Sequence, residues 1–153
     1  MPIYLILDDL KSVPKFMMGP ETFDFLVKIK TQSGLSSSGV IVDGKMGLVL
    51  TNSHCVQDAG SITVIYRNTM KFDARIIGEP KQVPNSEQES IDLCLLQIHI
   101  LMPYFLKEVK ISTHKLKEGS EIYTCGFGYF LSLDRPSLYK GYVTRIVQDQ
   151  KKR

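Results

Sequence analysis

The sequence predicts an all-β protein, folded as a barrel or a sandwich, on three observations. Short runs that are apolar, or that alternate apolar and polar residues, recur at regular spacing from residue 23 onward. Clusters of Gly, Pro, Asn, Asp and Ser separate these runs. No segment carries the apolar period of a long helix. Many short strands joined by turns are typical of a β-barrel or a β-sandwich.

The first part of the chain divides into a lead-in and three strands. Prolines at positions 2, 14 and 20 and a mixed polarity predict a lead-in arm or linker over residues 1–22. Apolar or alternating runs then predict strands over Phe23–Lys30, Val40–Asp43 and Leu48–Thr51. The serine-rich stretch Ser33–Gly39 predicts a turn, and Asp43-Gly44 predicts a hairpin.

The rest of the chain shows the same pattern of short predicted strands separated by turns. Val56–Ala59 predicts one helical turn, which Gly60 ends. Further strands are predicted over Ser61–Tyr66, Lys71–Gly78, Asp92–Ile98, Glu121–Cys125 and Leu138–Val147. Between them, turns are predicted at Arg67–Met70 and Gly126–Gly128, and a polar loop over residues 79–90. Gly141, inside the last strand, predicts a bulge.

Composition excludes several classes of function. A hydrophobic content of 43% and a charged content of 23% are those of a globular domain. The net charge is only +3, and no basic stripe with interleaved aromatic residues occurs, so we expect no nucleic-acid partner. The apolar patch at residues 3–7 is too short to span a membrane and lacks the basic flank of a signal peptide. We therefore expect no membrane partner.

The cysteines indicate a reducing compartment, and the spacing of the histidines argues against a metal site. Three cysteines, Cys55, Cys94 and Cys125, stand in or beside apolar runs without metal-ligand spacing, which predicts buried free thiols in a reducing compartment. Together with the missing signal peptide, this predicts an intracellular protein that is not secreted. The three histidines are too far apart to predict a metal site, and Gly126-x-Gly128 lacks the third glycine of a dinucleotide site. We expect no metal and no cofactor.

One histidine and one aspartate stand at the ends of predicted buried strands. His54 follows the apolar run Leu48–Leu50, and Asp92 precedes the apolar run Leu93–Ile98. Singly, each is an ordinary surface or turn residue. Together they form the candidate pair for acyl transfer by a serine, in which the histidine acts as general base and the carboxylate orients it.

The sequences around both residues resemble those of a known family. Ser36–Val56 and Ser90–Ile98 resemble the His and Asp segments of trypsin-like serine proteases of the Htr/Deg branch. Tyr123–Phe130, with Pro136–Val147, is most similar to the peroxisomal leader-peptide-processing proteases, which adds the peroxisome as the candidate compartment. The resemblance covers about residues 23–148.

The resemblance implies a fold and roles for the two residues. It implies the antiparallel β-barrel of trypsin-like proteases, with the first barrel over residues 23–130 and a connector and first strand of a second barrel over residues 131–153. It implies His54 as the general base and Asp92 as its orienting carboxylate, in a cleft between the two barrels. A protein or peptide is the implied substrate.

The chain departs from the family at the nucleophile. No Gly-x-Ser-Gly-Gly turn occurs in the 153 residues. The resemblance therefore implies a protease domain that is incomplete, as a fragment, splice form or incomplete gene model, and inactive alone. Gly39 stands where extracellular trypsins have the disulfide partner of the cysteine that follows the histidine, so Cys55 is expected to be free.

Other nucleophiles fit poorly, and two alternatives stay open. Ser120, Ser132 and Ser137 lack the glycine context of an oxyanion site. Cys125-Gly126 resembles the nucleophile of viral chymotrypsin-like proteases but precedes any second barrel. The first alternative is a non-catalytic protein-interaction module whose last strand pairs with another chain. The second is a separate chain that supplies the second barrel and the serine.

Overall fold

The computed structural model describes residues 3–5, 23–78, 92–99, 106–127 and 136–147. Within these ranges lie nine strands and one short helix, α1, at Ser53–Val56. The strands are β1 Ile3–Leu5, β2 Leu26–Thr31, β3 Ser36–Asp43, β4 Leu48–Thr51, β5 Ile62–Tyr66, β6 Met70–Gly78, β7 Cys94–Ile98, β8 Glu121–Gly126 and β9 Ser137–Tyr142. The all-β prediction is confirmed.

Six of the strands close into an antiparallel barrel in the order β2-β3-β4-β7-β6-β5. Sequential pairing joins β2 to β3, β3 to β4 and β5 to β6. The barrel closes through non-sequential pairs, in which β7 lies between β4 and β6 and β5 pairs with β2. Closure leaves none of the six strands with an unpaired edge. The predicted antiparallel barrel is therefore observed.

The barrel interior is filled by alternate residues of its strands, because successive side chains of a strand point to opposite faces. Six of these side chains are fully buried, namely Val27, Ile29, Ile41, Val49, Val64 and Leu96. Gly39 also faces this core, where an added Cβ would lie 2.7 Å from both Ile29 Cδ1 and Val49 Cγ1. A larger residue at position 39, including a disulfide-forming cysteine, would overpack the barrel.

A second sheet, in the order β1-β8-β9, covers the outer face of β2. Cys125 and Phe127 pack there against Phe25, Leu26 and Val40. This second apolar cluster explains why both faces of β2 are buried. The outward-facing Lys28 is 5% exposed, with its Nζ atom 5.6 Å from the centre of the Phe127 ring. The aromatic face thus helps to stabilise a buried cation.

The second sheet bears on the expected division of the chain. The first barrel is expected to run to residue 130, whereas its last described strand is β7 and β8 belongs to the second sheet. β1 lies inside the expected lead-in arm, over Ile3–Leu5, and pairs with β8. The boundary between residues 130 and 131 falls outside the described residues, so that division stays a prediction.

Three local predictions are wrong. The turn at Ser33–Gly39 gives way at Ser36 to β3, because Ser36–Gly39 pair in register with β2 and barrel closure outweighs the turn preference of serine. The helical turn begins three residues earlier than predicted, at Ser53. Gly141 forms no bulge, since β8 and β9 pair without a register shift. The predicted loop at 79–90 lies outside the described residues.

Candidate active site

The antiparallel pairing of β4 and β7 brings the two candidate residues together. Thr51, the last residue of β4, lies opposite Cys94, the first residue of β7. The chain just after β4 and the chain just before β7 therefore meet at one end of the barrel. His54 and Asp92, which are 38 positions apart in the sequence, come into contact there.

The one-turn helix α1 sets the direction of the histidine. Cys55 and Val56 of this helix are buried and anchor it to the barrel core. His54 precedes them on the solvent side, and 46% of its side chain is exposed. The ring therefore projects from a rigid element and remains accessible to a reacting group.

Two contacts join His54 to Asp92. The backbone N–H of His54 donates to Asp92 Oδ1 at 2.9 Å. The ring atom Nδ1 forms a close hydrogen bond with Asp92 Oδ2. A carboxylate on Nδ1 holds the neutral imidazole in the tautomer with its proton on that atom, which leaves Nε2 free to accept a proton. This is the arrangement of a general base and its orienting carboxylate.

The same contacts set the ionisation of the carboxylate. Burial by itself raises the pKa of Asp92, but hydrogen bonds from the His54 N–H and ring, together with the charge of the ring, outweigh it. The net effect is a pKa below the ordinary value of an aspartate. Asp92 is therefore an anion at neutral pH, as stabilisation of an imidazolium requires.

Two residues that the sequence analysis did not single out hold the Asp92 segment. The side-chain amide of Asn52 donates from Nδ2 to the carbonyl oxygen of Asp92 at 2.9 Å. The hydroxyl of Ser53 donates to the carbonyl oxygen of Leu93 at 2.7 Å. Their position directly before His54 was the available signal, but their partners depend on the β4–β7 register.

Neither Cys55, beside the site, nor Cys125, in the second sheet, is a good nucleophile. Cys55 Sγ lies 3.4 Å from His54 Nε2, but burial raises the pKa of its thiol. Cys125 lies in β8, inside the second apolar cluster, and burial raises its pKa to about 12. A thiol reacts as its thiolate, so both groups are unreactive at neutral pH. None of the three cysteines forms a disulfide and all three are buried, as predicted.

The alternative serines stand in ordinary structural positions. Ser120 lies in the turn before β8, where its hydroxyl accepts a hydrogen bond from the Lys117 N–H at 3.3 Å. Ser137 is the first residue of β9. Ser132 lies outside the described residues.

The described residues offer neither a metal site nor a membrane-spanning helix. They contain no group of three or more His, Cys, Asp or Glu side chains that could hold a metal ion. None of the helices found in them is long and apolar enough to cross a bilayer. A pocket of about 550 Å³ lies at the opposite end of β7, lined by residues that include Arg75, Gln97 and His99. It contains neither His54 nor Asp92.

A family match covers most of the chain, including both site residues. The trypsin-like peptidase domain matches residues 37–153. The chain belongs to this family. The matched region contains five of the six barrel strands, β3 to β7, with β3 from its second residue onward, together with His54 and Asp92.

Curated relatives agree with this assignment, and a solved structure shares the fold. A probable periplasmic serine protease do/HhoA-like of Haemophilus influenzae is 32% identical over 117 residues, which are 74% of this chain and 23% of the relative. The periplasmic endoprotease DegQ of Escherichia coli is 36% identical over 54% of this chain and 16% of its own length. The periplasmic endoprotease DegP of Salmonella typhimurium is also 36% identical, over 60% of this chain and 17% of its own length. The serine endoprotease of Yersinia pestis shares the fold, with a TM-score of 0.62 and 23% identity over 80% of this chain and 41% of that one.

These relatives correct the predicted location. The sequence predicts an intracellular protein that is not secreted, with the peroxisome as the candidate compartment. That prediction is wrong, because the matched relatives are named as periplasmic proteases. The physical error lies in the cysteines. Cys55, Cys94 and Cys125 are 9%, 1% and 4% exposed, so burial protects these thiols without help from a reducing compartment.

Proposed function

We propose that this chain supplies the acid–base half of a Ser-His-Asp serine endopeptidase site. His54 is the general base and Asp92 is its orienting carboxylate. The observation that carries the proposal is the double contact of Asp92 with the backbone N–H and the ring Nδ1 of His54. A protein or peptide is the substrate, as for the endoproteases that the chain resembles.

Each group has a defined task in this reaction. Nε2 of His54 takes the proton of the attacking serine hydroxyl and later gives it to the leaving amine. The Asp92 carboxylate stabilises the imidazolium that forms between these steps. The nucleophile and the oxyanion donors come from a second barrel, in a longer form of the protein or in a separate chain. The 153 residues alone do not hydrolyse peptides, since they contain no Gly-x-Ser-Gly-Gly turn.

Completing the site tests this proposal. The chain is joined to the serine-bearing remainder of the protease domain of the Haemophilus relative, and labelling by a fluorophosphonate is followed. Labelling is expected for the joined protein and not for the chain alone. Asp92→Asn should slow labelling by a factor on the order of 10⁴, because the imidazole then takes the wrong tautomer. His54→Ala should act at least as strongly.

The control and the contrary results are equally specific. Asp73→Asn removes an exposed carboxylate from β6, at the other end of the barrel, and should leave labelling unchanged. Labelling that is equally fast without His54 or Asp92 would show that these residues are not the base and its orienter. Labelling of the chain alone would disprove its inactivity.

A second candidate is a non-catalytic protein-interaction module. It is favoured by large apolar side chains on and after β9, where Tyr139, Tyr142 and Val147 are 67%, 59% and 77% exposed. Tight association of the chain with a serine-bearing second barrel, without any fluorophosphonate labelling, would favour this candidate over the first.

We place the protein in the periplasm or outside the cell, as the names of its relatives suggest. Fractionation of the producing cells tests this, and recovery in the cytosol would contradict it. The resemblance of residues 123–130 and 136–147 to the peroxisomal processing proteases stays a prediction.

A further inference from the structure

Two side chains of the His54 segment bind main-chain carbonyls of the Asp92 segment. The Asn52 amide reaches Asp92 O at 2.9 Å and the Ser53 hydroxyl reaches Leu93 O at 2.7 Å. Both contacts lie just past the point where the β4–β7 ladder ends, at Thr51 and Cys94. Side chains therefore continue the strand pairing after the backbones have stopped making it.

The partner of Asn52 is unusual for its position. Asn52 is the N-cap of α1, where an asparagine side chain ordinarily accepts a hydrogen bond from an N–H of the first turn. No such cap bond forms, and the amide donates across to Asp92 instead. A local rule broken at a candidate catalytic site indicates that the residue serves the site rather than the helix.

The Asp92 backbone needs this support. On the side of Asp92 that leads into β7, Leu93 is 43% exposed and the first buried residue is Cys94. The carboxylate reaches both the N–H and the ring of His54 only while its own backbone stays in place, and small displacements at a catalytic site cost large factors in rate. The Asn52 amide binds the carbonyl of this very residue.

We propose that Asn52 is a positioning residue, whose amide fixes the backbone of Asp92 and so keeps the carboxylate on Nδ1 of His54. Ser53 assists through the next carbonyl. The inference rests on the proposed role of the His54–Asp92 pair. It adds to that role the residue that maintains the geometry of the pair.

Three variants of the intact 153-residue chain separate positioning from simple stability. Asn52→Asp has nearly the same size and is equally favoured at an N-cap position, but it loses the donor and places a carboxylate against the Asp92 carbonyl. Asn52→Ala removes the amide altogether. Thr69→Ala is the matched control, because it removes a side-chain bond to a main-chain carbonyl, that of Arg67 at 3.4 Å, in the β5–β6 turn.

Two nuclear magnetic resonance readouts follow the pair without any catalysis. The first is the low-field proton signal of His54 Nδ1–H bound to a carboxylate. The second is the carbon titration of the Asp92 carboxyl group. In both Asn52 variants we expect the proton signal to broaden or vanish and the carboxyl group to titrate closer to an ordinary aspartate. Thr69→Ala should leave both readouts at their wild-type values.

Each contrary outcome overturns the inference. Folded Asn52 variants with both readouts unchanged would show that Asn52 does not position Asp92. Loss of folding in Asn52→Asp as well as in Asn52→Ala would assign the residue to barrel stability alone. Failure of the proposed function would give a different result. The joined protease would then be labelled equally fast without His54 or Asp92, while the resonance signals of the wild-type chain would still show the His54–Asp92 contact.

Discussion

At the residue scale, the contact between Asp92 and His54 links the site to stability. The pKa of Asp92 is held below its ordinary value by hydrogen bonds from His54, so the ionised carboxylate favours the folded state. This contribution is complete above the pKa of the unfolded chain, about 3.9. It is lost as the pH falls through the lower pKa of the folded state.

Asp92→Asn should therefore remove a stabilisation that depends on pH. We expect the variant to unfold at lower urea concentration than the wild type near neutral pH, and the difference to shrink as the pH falls below about 4. Urea unfolding across a pH series measures it, with Asp73→Asn on β6 as the control. A difference that stays constant down to the acid limit would contradict the coupling between Asp92 and His54.

The residues of the site differ in how far the sequence could predict them. His54 and Asp92 each stand at the end of an apolar run, so the pattern alone pointed to both. Asn52 and Ser53 could be noted only for their position directly before His54, because their hydrogen bonds depend on which residue of β7 lies opposite Thr51. The free state of Cys55 was predictable, since a glycine stands at position 39.

At the element scale, the β3–β4 hairpin is held from outside the barrel by the segment 106–109. The Leu106 N–H donates to Gly44 O at 3.3 Å, and the Val109 N–H donates to Ile41 O at 2.8 Å. Glu108 accepts a hydrogen bond from the Gly44 N–H at 2.8 Å. Gly44 is required because a Cβ there would lie 1.8 Å from the Leu106 carbonyl oxygen.

Gly44→Ala should thus be costly for a steric reason. We expect a loss of about 3 kcal/mol, since a backbone atom rather than a flexible side chain must move. Gly34→Ala is the contrasting control, because Gly34 has a φ of +85° and open space around its Cβ position. It should cost only about 1 kcal/mol, from backbone strain. If denaturant unfolding gave equal losses in the free energy of unfolding for the two variants, the 106–109 segment would be able to move away from the new Cβ at little cost.

The elements also show where sequence patterns mislead. The run of serines at Ser36–Ser38 predicted a turn, yet these residues pair with Lys28–Lys30 of β2. Turn preference is a local property, whereas strand pairing here is imposed by barrel closure. The predicted position of the helical turn is wrong for a similar reason. Its buried anchors, Cys55 and Val56, follow the histidine directly, so the turn forms around His54 rather than after it.

At the scale of the whole molecule, the sequence predicted a barrel but not its strand order. The placement of β7 between β4 and β6 is non-local, and an apolar run does not reveal its neighbours. That placement is nonetheless what creates the site, since only a β4–β7 pair brings His54 to Asp92. The strand order therefore brings two motifs that are separate in the sequence into one candidate pair of general base and orienting carboxylate.

The second sheet has a different character from the barrel. Its inner side packs on β2 through Cys125 and Phe127, while on and after β9 large apolar side chains face solvent. Large apolar side chains exposed in this way mark an interaction site or an aggregation liability where they form a contiguous patch. The chain spans at most about a quarter of the length of the curated relatives that it matches. Under the proposed function, a second barrel would cover this surface.

We therefore expect the isolated chain to bind an apolar fluorescent dye and to associate as its concentration rises. The double variant Tyr139→Lys with Val147→Lys should reduce both effects. It removes two exposed apolar side chains to which the dye can bind, and the added positive charges repel a second copy of the chain. Met46→Lys, at an exposed position of the β3–β4 hairpin, is the control and should change neither. Sedimentation and dye fluorescence measure the outcome. A monomeric wild-type chain without dye binding would show that this face is covered within the chain itself, and would remove the need for a partner there.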